Sequence, residues 1–195
     1  MKKITAENRA KKIKLLLMDV DGVLTDGRMY FLPNGSSEEA KAFNALDGIG
    51  LRLLRTCGID TGMITGRACG STVERAKTLA MRYVYMGFLS KTGPLEEILK
   101  ATGITAEETA YIGDDLTDIP VMRRVGLACS PANAVDEVKR CAHYVSKRSG
   151  GYGAAREICE LILKSQGRWK HVMEMAETGR WDKLPPGKTV VKTYK

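Results

Sequence analysis

LLLMDVDGVLTDG, residues Leu15 to Gly27, drives four apolar residues into two aspartates, Asp19 and Asp21, one residue apart, and then into glycine. An unbroken apolar run suits a strand buried on both faces, the condition of a parallel sheet covered by helices. Nothing nearby in sequence neutralises the two carboxylates. A strand ending in this way delivers them to the carboxyl edge of the sheet, where open α/β sheets bind their ligands.

Outward from that strand, read as Lys14–Val20, strand and helix patterns alternate. Strands are expected at Asp60–Thr65, Tyr83–Met86, Thr109–Gly113, Gly126–Cys129 and His143–Val145. Helices are expected at Asp47–Cys57, Ser71–Met81, Pro94–Thr102, Asp118–Val125, Ala134–Cys141 and Ala154–Lys164. The alternation predicts an α/β fold, a Rossmann-like doubly wound parallel sheet built of βαβ units. One segment breaks it. RMYFLPNGSSEEAKAF (Arg28–Phe43) carries Asn34-Gly35 between two extendable runs, which predicts a β-hairpin projecting after the first strand.

The chain has 195 residues, enough for one domain with a real core. We divide it into a basic N-terminal arm (1–12), one α/β unit (13–166) and a C-terminal extension (167–195) expected to be flexible. The net charge of +8 is concentrated at the ends. Residues 1–14 hold +5 and residues 166–195 hold +4, leaving the body at −1. Basic ends on a near-neutral body read as solvated tails and argue against nucleic acid as a partner. No stretch approaches the roughly 18 apolar residues of a membrane span. The five cysteines form no CxxC pair, and their odd number argues against a disulfide framework. A cytoplasmic location is the expectation.

Four polar clusters fall beyond the carboxyl ends of the strands: Asp19 and Asp21; Thr65, Gly66 and Arg67; Lys91; and Gly113, Asp114, Asp115 and Asp118. Clustered carboxylates repel one another, and a hard, oxygen-seeking cation such as Mg²⁺ relieves this. Lysine and arginine beside them are anion ligands. The set suits a phosphate ester. One aspartate attacks phosphorus; the other, two residues on, protonates the leaving oxygen and later activates water.

In this order, DVDGVLTDG, ITGR, a lysine and GDDLTD resemble the four motifs of the haloacid dehalogenase superfamily of phosphotransferases. KAFNALDGIGLRLL, YIGDDLTDIPVMRRVGLA and SGGYGAAREICELIL resemble one branch, the 3-deoxy-D-manno-octulosonate 8-phosphate (KDO 8-phosphate) phosphatases, over about residues 13–166. The resemblance implies Asp19 as nucleophile and Asp21 as general acid/base. It implies Mg²⁺ held by Asp19, Asp114 and the backbone carbonyl of Asp21. Thr65, Gly66 and Lys91 would hold the phosphoryl group, with Asp115 and Asp118 supporting the metal shell or Lys91. Arg67 and Arg156 would recognise the carboxylate of a phosphorylated sugar acid. It further implies a homotetramer, and a place in lipopolysaccharide biosynthesis. Asp21 to Thr65 is 44 positions and Lys91 to Asp114 is 23, too few for a cap domain, so the site is expected to be capless. Exposed apolar residues on the hairpin (Met29–Leu32) would pack against another subunit, and the Gly-rich stretch Ser149–Glu157 is a second candidate for closing the mouth.

Three other readings stay open on sequence. The substrate is a related acid such as 2-keto-3-deoxy-nonulosonate 9-phosphate, although Arg67 stands where that relative tends to have Glu. The chain is a phospho-accepting signalling domain, although DxD here follows the first strand and GDD comes late. Or it is a non-catalytic scaffold that binds through its basic ends.

Overall fold

Leu15–Met18 forms β1, with all four residues buried. In the computed structural model, which describes residues 4–31, 39–185 and 187–194, β1 lies at the centre of a seven-stranded sheet. The other strands are β4 (Asp60–Thr65), β5 (Tyr83–Met86), β6 (Thr109–Ile112), β7 (Leu127–Ser130), β8 (Tyr144–Val145) and β9 (Val190–Thr193). The order is β8-β7-β6-β1-β4-β5-β9, and every pairing is parallel. From β1 the chain runs to β4 and β5 on one side, then crosses back to β6, β7 and β8 on the other. The reversal leaves a crevice at the carboxyl ends of β1, β4 and β6, where the polar clusters fall.

Side chains that alternate along the strands build two cores. Leu16, Met18, Met63, Val84, Ala110 and Ile112 face one layer. Its helices are α1 (Ala6–Ala10), α2 (Ala45–Thr56), α3 (Gly70–Thr78), α7 (Ala154–Ser165) and α8 (Trp169–Thr178). Leu15, Leu17, Ile64, Tyr85 and Tyr111 face the other layer. That layer is α4 (Thr92–Thr102), α5 (Ile119–Met122) and α6 (Asp136–Cys141). Burying each such leucine or isoleucine stabilises the fold by about 1.5–3 kcal/mol. The sheet can therefore carry a charged crevice at its edge.

The expected hairpin is present as an antiparallel pair, β2 (Tyr30–Phe31) with β3 (Glu39–Ala40). Its Asn34-Gly35 turn and Leu32 lie outside the described residues. Between β1 and β4 the described residues hold only this hairpin and α2. Between β5 and β6 they hold α4 and a short 3₁₀ turn at Ala106–Glu108. The site has no cap among the described residues.

Three expectations change. The arm is not free: α1 is capped by Thr5 and buries Ala10, while Gln166 donates to the carbonyls of Ala10 and Ile13 at 3.0 and 2.8 Å. The extension is not simply flexible. Val172 and Met175, three apart on α8, are buried, and β9 pairs with β5 as the seventh strand. The open edge of β5 supplies that order, and this partner lies about a hundred residues away in sequence. The expected helix Asp118–Val125 is a 3₁₀ turn at Leu116–Asp118 followed by the single turn of α5, with Pro120 in its first positions.

Loops lock the crevice from beneath. Asn133, after β7, donates to the Gly22 carbonyl at 3.1 Å and accepts from the Gly150 N–H at 2.7 Å. A Cβ on Gly150 would lie 1.8 Å from the Gly22 carbonyl oxygen. Gly150→Ala is therefore expected to lower stability by about 2–3 kcal/mol, the cost of overpacking against backbone. The denaturation midpoint should drop, whereas Gly93→Ala in α4, which meets nothing within 4 Å, should leave it unchanged or raise it slightly, because alanine is the better helix former.

Candidate active site

The Asp19 N–H donates to the Ile112 carbonyl at 3.0 Å, so pairing with β6 runs one residue beyond β1 and fixes where the carboxylate emerges. The residue is 8% exposed. One oxygen, Oδ1, accepts from the Val20 N–H and the other from Lys91 Nζ, each at 2.6 Å. Gly22 then turns the chain with φ +82°, and a Cβ there would lie 2.0 Å from Asp114 Oδ2. The glycine of DxDG thus lets the loops after β1 and β6 touch.

Lys91 stands immediately before α4, at its N-cap, and is buried. Its ammonium bridges Asp19 Oδ2 and Asp118 Oδ1, both at 2.6 Å. Asp118 also accepts from Tyr111 Oη at 2.7 Å and from the N–H groups of Asp114 and Asp115 at 3.0 and 3.2 Å. Four donors fill its acceptor sites. Asp118 is therefore a hub that orders Lys91 and the GDD loop. Asp115 is exposed and caps the following turn through Leu116 N–H at 2.7 Å.

Asp19, Asp114 and Asp118 offer oxygens within 4.8 Å of one another. With Asp118 saturated, Asp19 and Asp114 are the side chains suited to hold a metal ion. Asp114 Oδ1 is buried without a hydrogen-bond partner, the kind of orphaned acceptor that a cation satisfies. Charge balance agrees. Three carboxylates face one ammonium, an excess of two negative charges, and oxygen donors suit a hard divalent ion. Burial, reinforced by Asp19 and Asp118, pushes the Asp114 carboxyl up to about 8. Burial also raises Asp19 to about 6, with Lys91 opposing and Asp118 adding to the rise. For Lys91 burial acts downward, but its two carboxylates outweigh it and hold the ammonium above its ordinary range.

Asp19, Asp21, Thr65, Gly66, Arg67, Lys91, Asp114 and Asp115 line one open cavity of about 260 Å³. Thr65 ends β4, buried, and accepts from the Arg67 N–H at 3.3 Å. Arg156 is not brought to this cavity. It lies on α7, paired with Glu160 at 2.8 Å, and lines a separate cavity with Lys147 and Arg148. The Gly-rich stretch does not close the mouth within this chain either. Gly151 donates to the Val23 carbonyl at 3.1 Å, so the stretch supports the DxDG loop.

Sequence reasoning missed Glu39 and Lys41. Arg67 pairs with Glu39 through Nε at 3.1 Å and through Nη2, and Lys41 Nζ pairs with Asp21 Oδ1. Their signal is the two-residue spacing at the end of the hairpin, which in an extended segment puts both on one face. Tyr111 and Asn133 were missed as well. A tyrosine inside a strand and an asparagine in a turn carry no pattern that separates them from packing residues.

A model of the haloacid dehalogenase-like hydrolases matches residues 65–158. The chain is 46% identical over 160 residues to a 3-deoxy-D-manno-octulosonate 8-phosphate phosphatase of Yersinia pestis, covering 82% of this chain and 84% of that protein. The crystal structure of a phosphatase of that name from Yersinia pestis superposes with a TM-score of 0.82 at 44% identity, over 85% of this chain and 88% of that one. The phosphatase of Moraxella catarrhalis, in complex with magnesium, phosphate and KDO, gives a TM-score of 0.85 at 38% identity, over 88% and 97%.

The raised carboxyls make a prediction for metal-stripped protein. Between the unfolded value of 3.8 and the folded value of about 8, Asp114 binds more protons folded than unfolded. Its contribution to stability is present below about pH 4 and is lost as pH rises through 8. Thermal melts in EDTA should show Asp114→Asn gaining on wild type as pH rises from 5 to 8. Added Mg²⁺ should raise the wild-type midpoint most at the upper end of that range. A pH-independent difference between the two proteins would refute this assignment.

Proposed function

The chain belongs to the haloacid dehalogenase-like hydrolases, in the branch of the 3-deoxy-D-manno-octulosonate 8-phosphate phosphatases, and from that premise we propose that it hydrolyses KDO 8-phosphate to KDO and phosphate. It is a phosphoric monoester hydrolase. The observation that carries the mechanism is the Lys91 ammonium held between Asp19 and Asp118.

Asp19 and Asp114 would hold the metal ion, with the Asp21 backbone carbonyl, and we assign it as Mg²⁺. When bound, the ion neutralises the excess carboxylate charge and polarises phosphoryl oxygens. Lys91 spends two N–H groups on Asp19 and Asp118 and keeps a third for a phosphoryl oxygen. Thr65 and the Gly66 backbone complete that cradle. A carboxylate oxygen of Asp19 attacks phosphorus, and the bond from phosphorus to the sugar oxygen breaks. Asp21 gives its proton to the departing oxygen. In the second step Asp21 takes a proton from water as the water oxygen bonds to phosphorus. The bond from phosphorus to Asp19 then breaks, and both carboxyls return to their starting states.

The substrate carboxylate is assigned to Arg67, which lies in the cavity and has a planar fork suited to carboxylates. Met29, Tyr30 and Phe31 on the hairpin are 42, 46 and 70% exposed. That apolar face supports association into the homotetramer, in which a neighbouring subunit would cover the open mouth and could bring Arg156 to it.

Phosphate release should be measured with Mg²⁺ on KDO 8-phosphate, the nonulosonate 9-phosphate, a hexose phosphate and a nucleotide. The expected result is a preference for KDO 8-phosphate of at least about a hundredfold in kcat/KM, the discrimination a hydrogen-bonded polar site can supply. Asp19→Ala and EDTA should abolish turnover. A preference for the nine-carbon acid would keep the mechanism and displace the substrate.

A further inference from the structure

Asp21, Lys41, Glu39 and Arg67 form a chain of alternating charge whose two ends, Asp21 and Arg67, line the cavity. Lys41 Nζ pairs with Asp21 Oδ1 and lies 3.7 Å from Glu39 Oε2, and Glu39 in turn takes Arg67 through both oxygens. The middle members are the buried ones. The Lys41 side chain is 3% exposed and that of Glu39 10%, against 17% for Asp21 and 39% for Arg67. Removing one partner of a pair this far out of water leaves the other charge stranded.

Glu39 lies on β3 and Lys41 one residue beyond its end, and both side chains turn toward the mouth, where they pair with Arg67 and Asp21. The strand is itself fastened to the mouth. The Glu39 carbonyl accepts from Cys69 Sγ at 3.2 Å, and Tyr30 and Phe31 pair with Ala40 and Glu39. Arg67 holds the Glu39 carboxyl below the usual carboxylate range, so it stays ionised across the working pH.

We propose that Glu39 and Lys41 are positioning residues that set the two ends of the substrate site from one short segment, the end of the hairpin: Lys41 fixes the acid/base Asp21, and Glu39 fixes the carboxylate-binding Arg67. The chemistry divides accordingly. Lys41 occupies Oδ1 of Asp21, which leaves Oδ2 as the oxygen available for proton transfer. Glu39 takes the Nε–Nη2 side of the guanidinium, which leaves Nη1 and one Nη2 hydrogen for the acid group of the substrate. The Glu39 arm rests on the substrate reading above. The Lys41 arm does not.

The test is a split between KM and kcat on two substrates, KDO 8-phosphate and an aryl phosphate that carries no carboxylate. Lys41→Met should lower kcat on both by about tenfold or more, because a misplaced Asp21 fails to activate water in the half-reaction the two substrates share, and Lys41→Arg should restore most of it. Glu39→Ala should raise KM for KDO 8-phosphate at least about fivefold more than KM for the aryl phosphate, the scale of one charge-assisted pair. Parallel losses in kcat and KM on both substrates, from both variants, would mean that the strand merely holds the fold and would overturn the proposal. Wild-type enzyme that prefers a neutral sugar phosphate would defeat the substrate reading and the Glu39 arm with it. The Lys41 arm would still be decided on the aryl phosphate.

Discussion

A buried ammonium between two aspartates is the constraint around which this molecule is arranged. Removing Lys91 from water costs several kcal/mol, and the two carboxylates at 2.6 Å offset that cost. Those carboxylates come from different strands, Asp19 after β1 and Asp118 from the turn after β6. The lysine comes from the far end of the loop after β5. The three meet only if β5, β4, β1 and β6 lie in their observed order and register. The apolar strands supply the stability, and the ion cluster sets where their ends must come together.

The cluster also explains the chemistry on both sides of it. On one side, Asp118 takes up the backbone N–H groups of Asp114 and Asp115 and the Tyr111 hydroxyl, so the acidic loop is rigid before any ligand arrives. On the other, Asp19 and Asp114 hold more negative charge than Lys91 balances. Such a site is preorganised for a dication and a phosphoryl group together, and little reorganisation remains for the moment of reaction.

The strands were legible because Leu15–Met18, Asp60–Thr65 and Tyr83–Met86 are apolar runs bounded by turn residues, and β4 and β5 match the expected bounds. The acidic residues and Lys91 were legible because they fall at strand ends in a fixed order. What escaped depends on partners far away in the chain. Val190–Thr193 becomes a strand because β5 offers an edge. Glu39 and Lys41 gain meaning only when the hairpin folds onto Arg67 and Asp21. Arg156 lines a separate cavity within its own chain, and which cavity a helix presents likewise depends on elements far away in sequence.

The central claim is that Asp19 carries the phosphoryl group between the two half-reactions. Rapid quenching of the enzyme during turnover, followed by borohydride reduction and peptide mass analysis, tests it directly, because borohydride reduces an acyl phosphate and leaves a free carboxylate intact. The account predicts conversion of Asp19 to homoserine in the quenched enzyme, absent without substrate. Full turnover with Asp19 unmodified at every quench time would contradict it and point to direct attack of water on phosphorus.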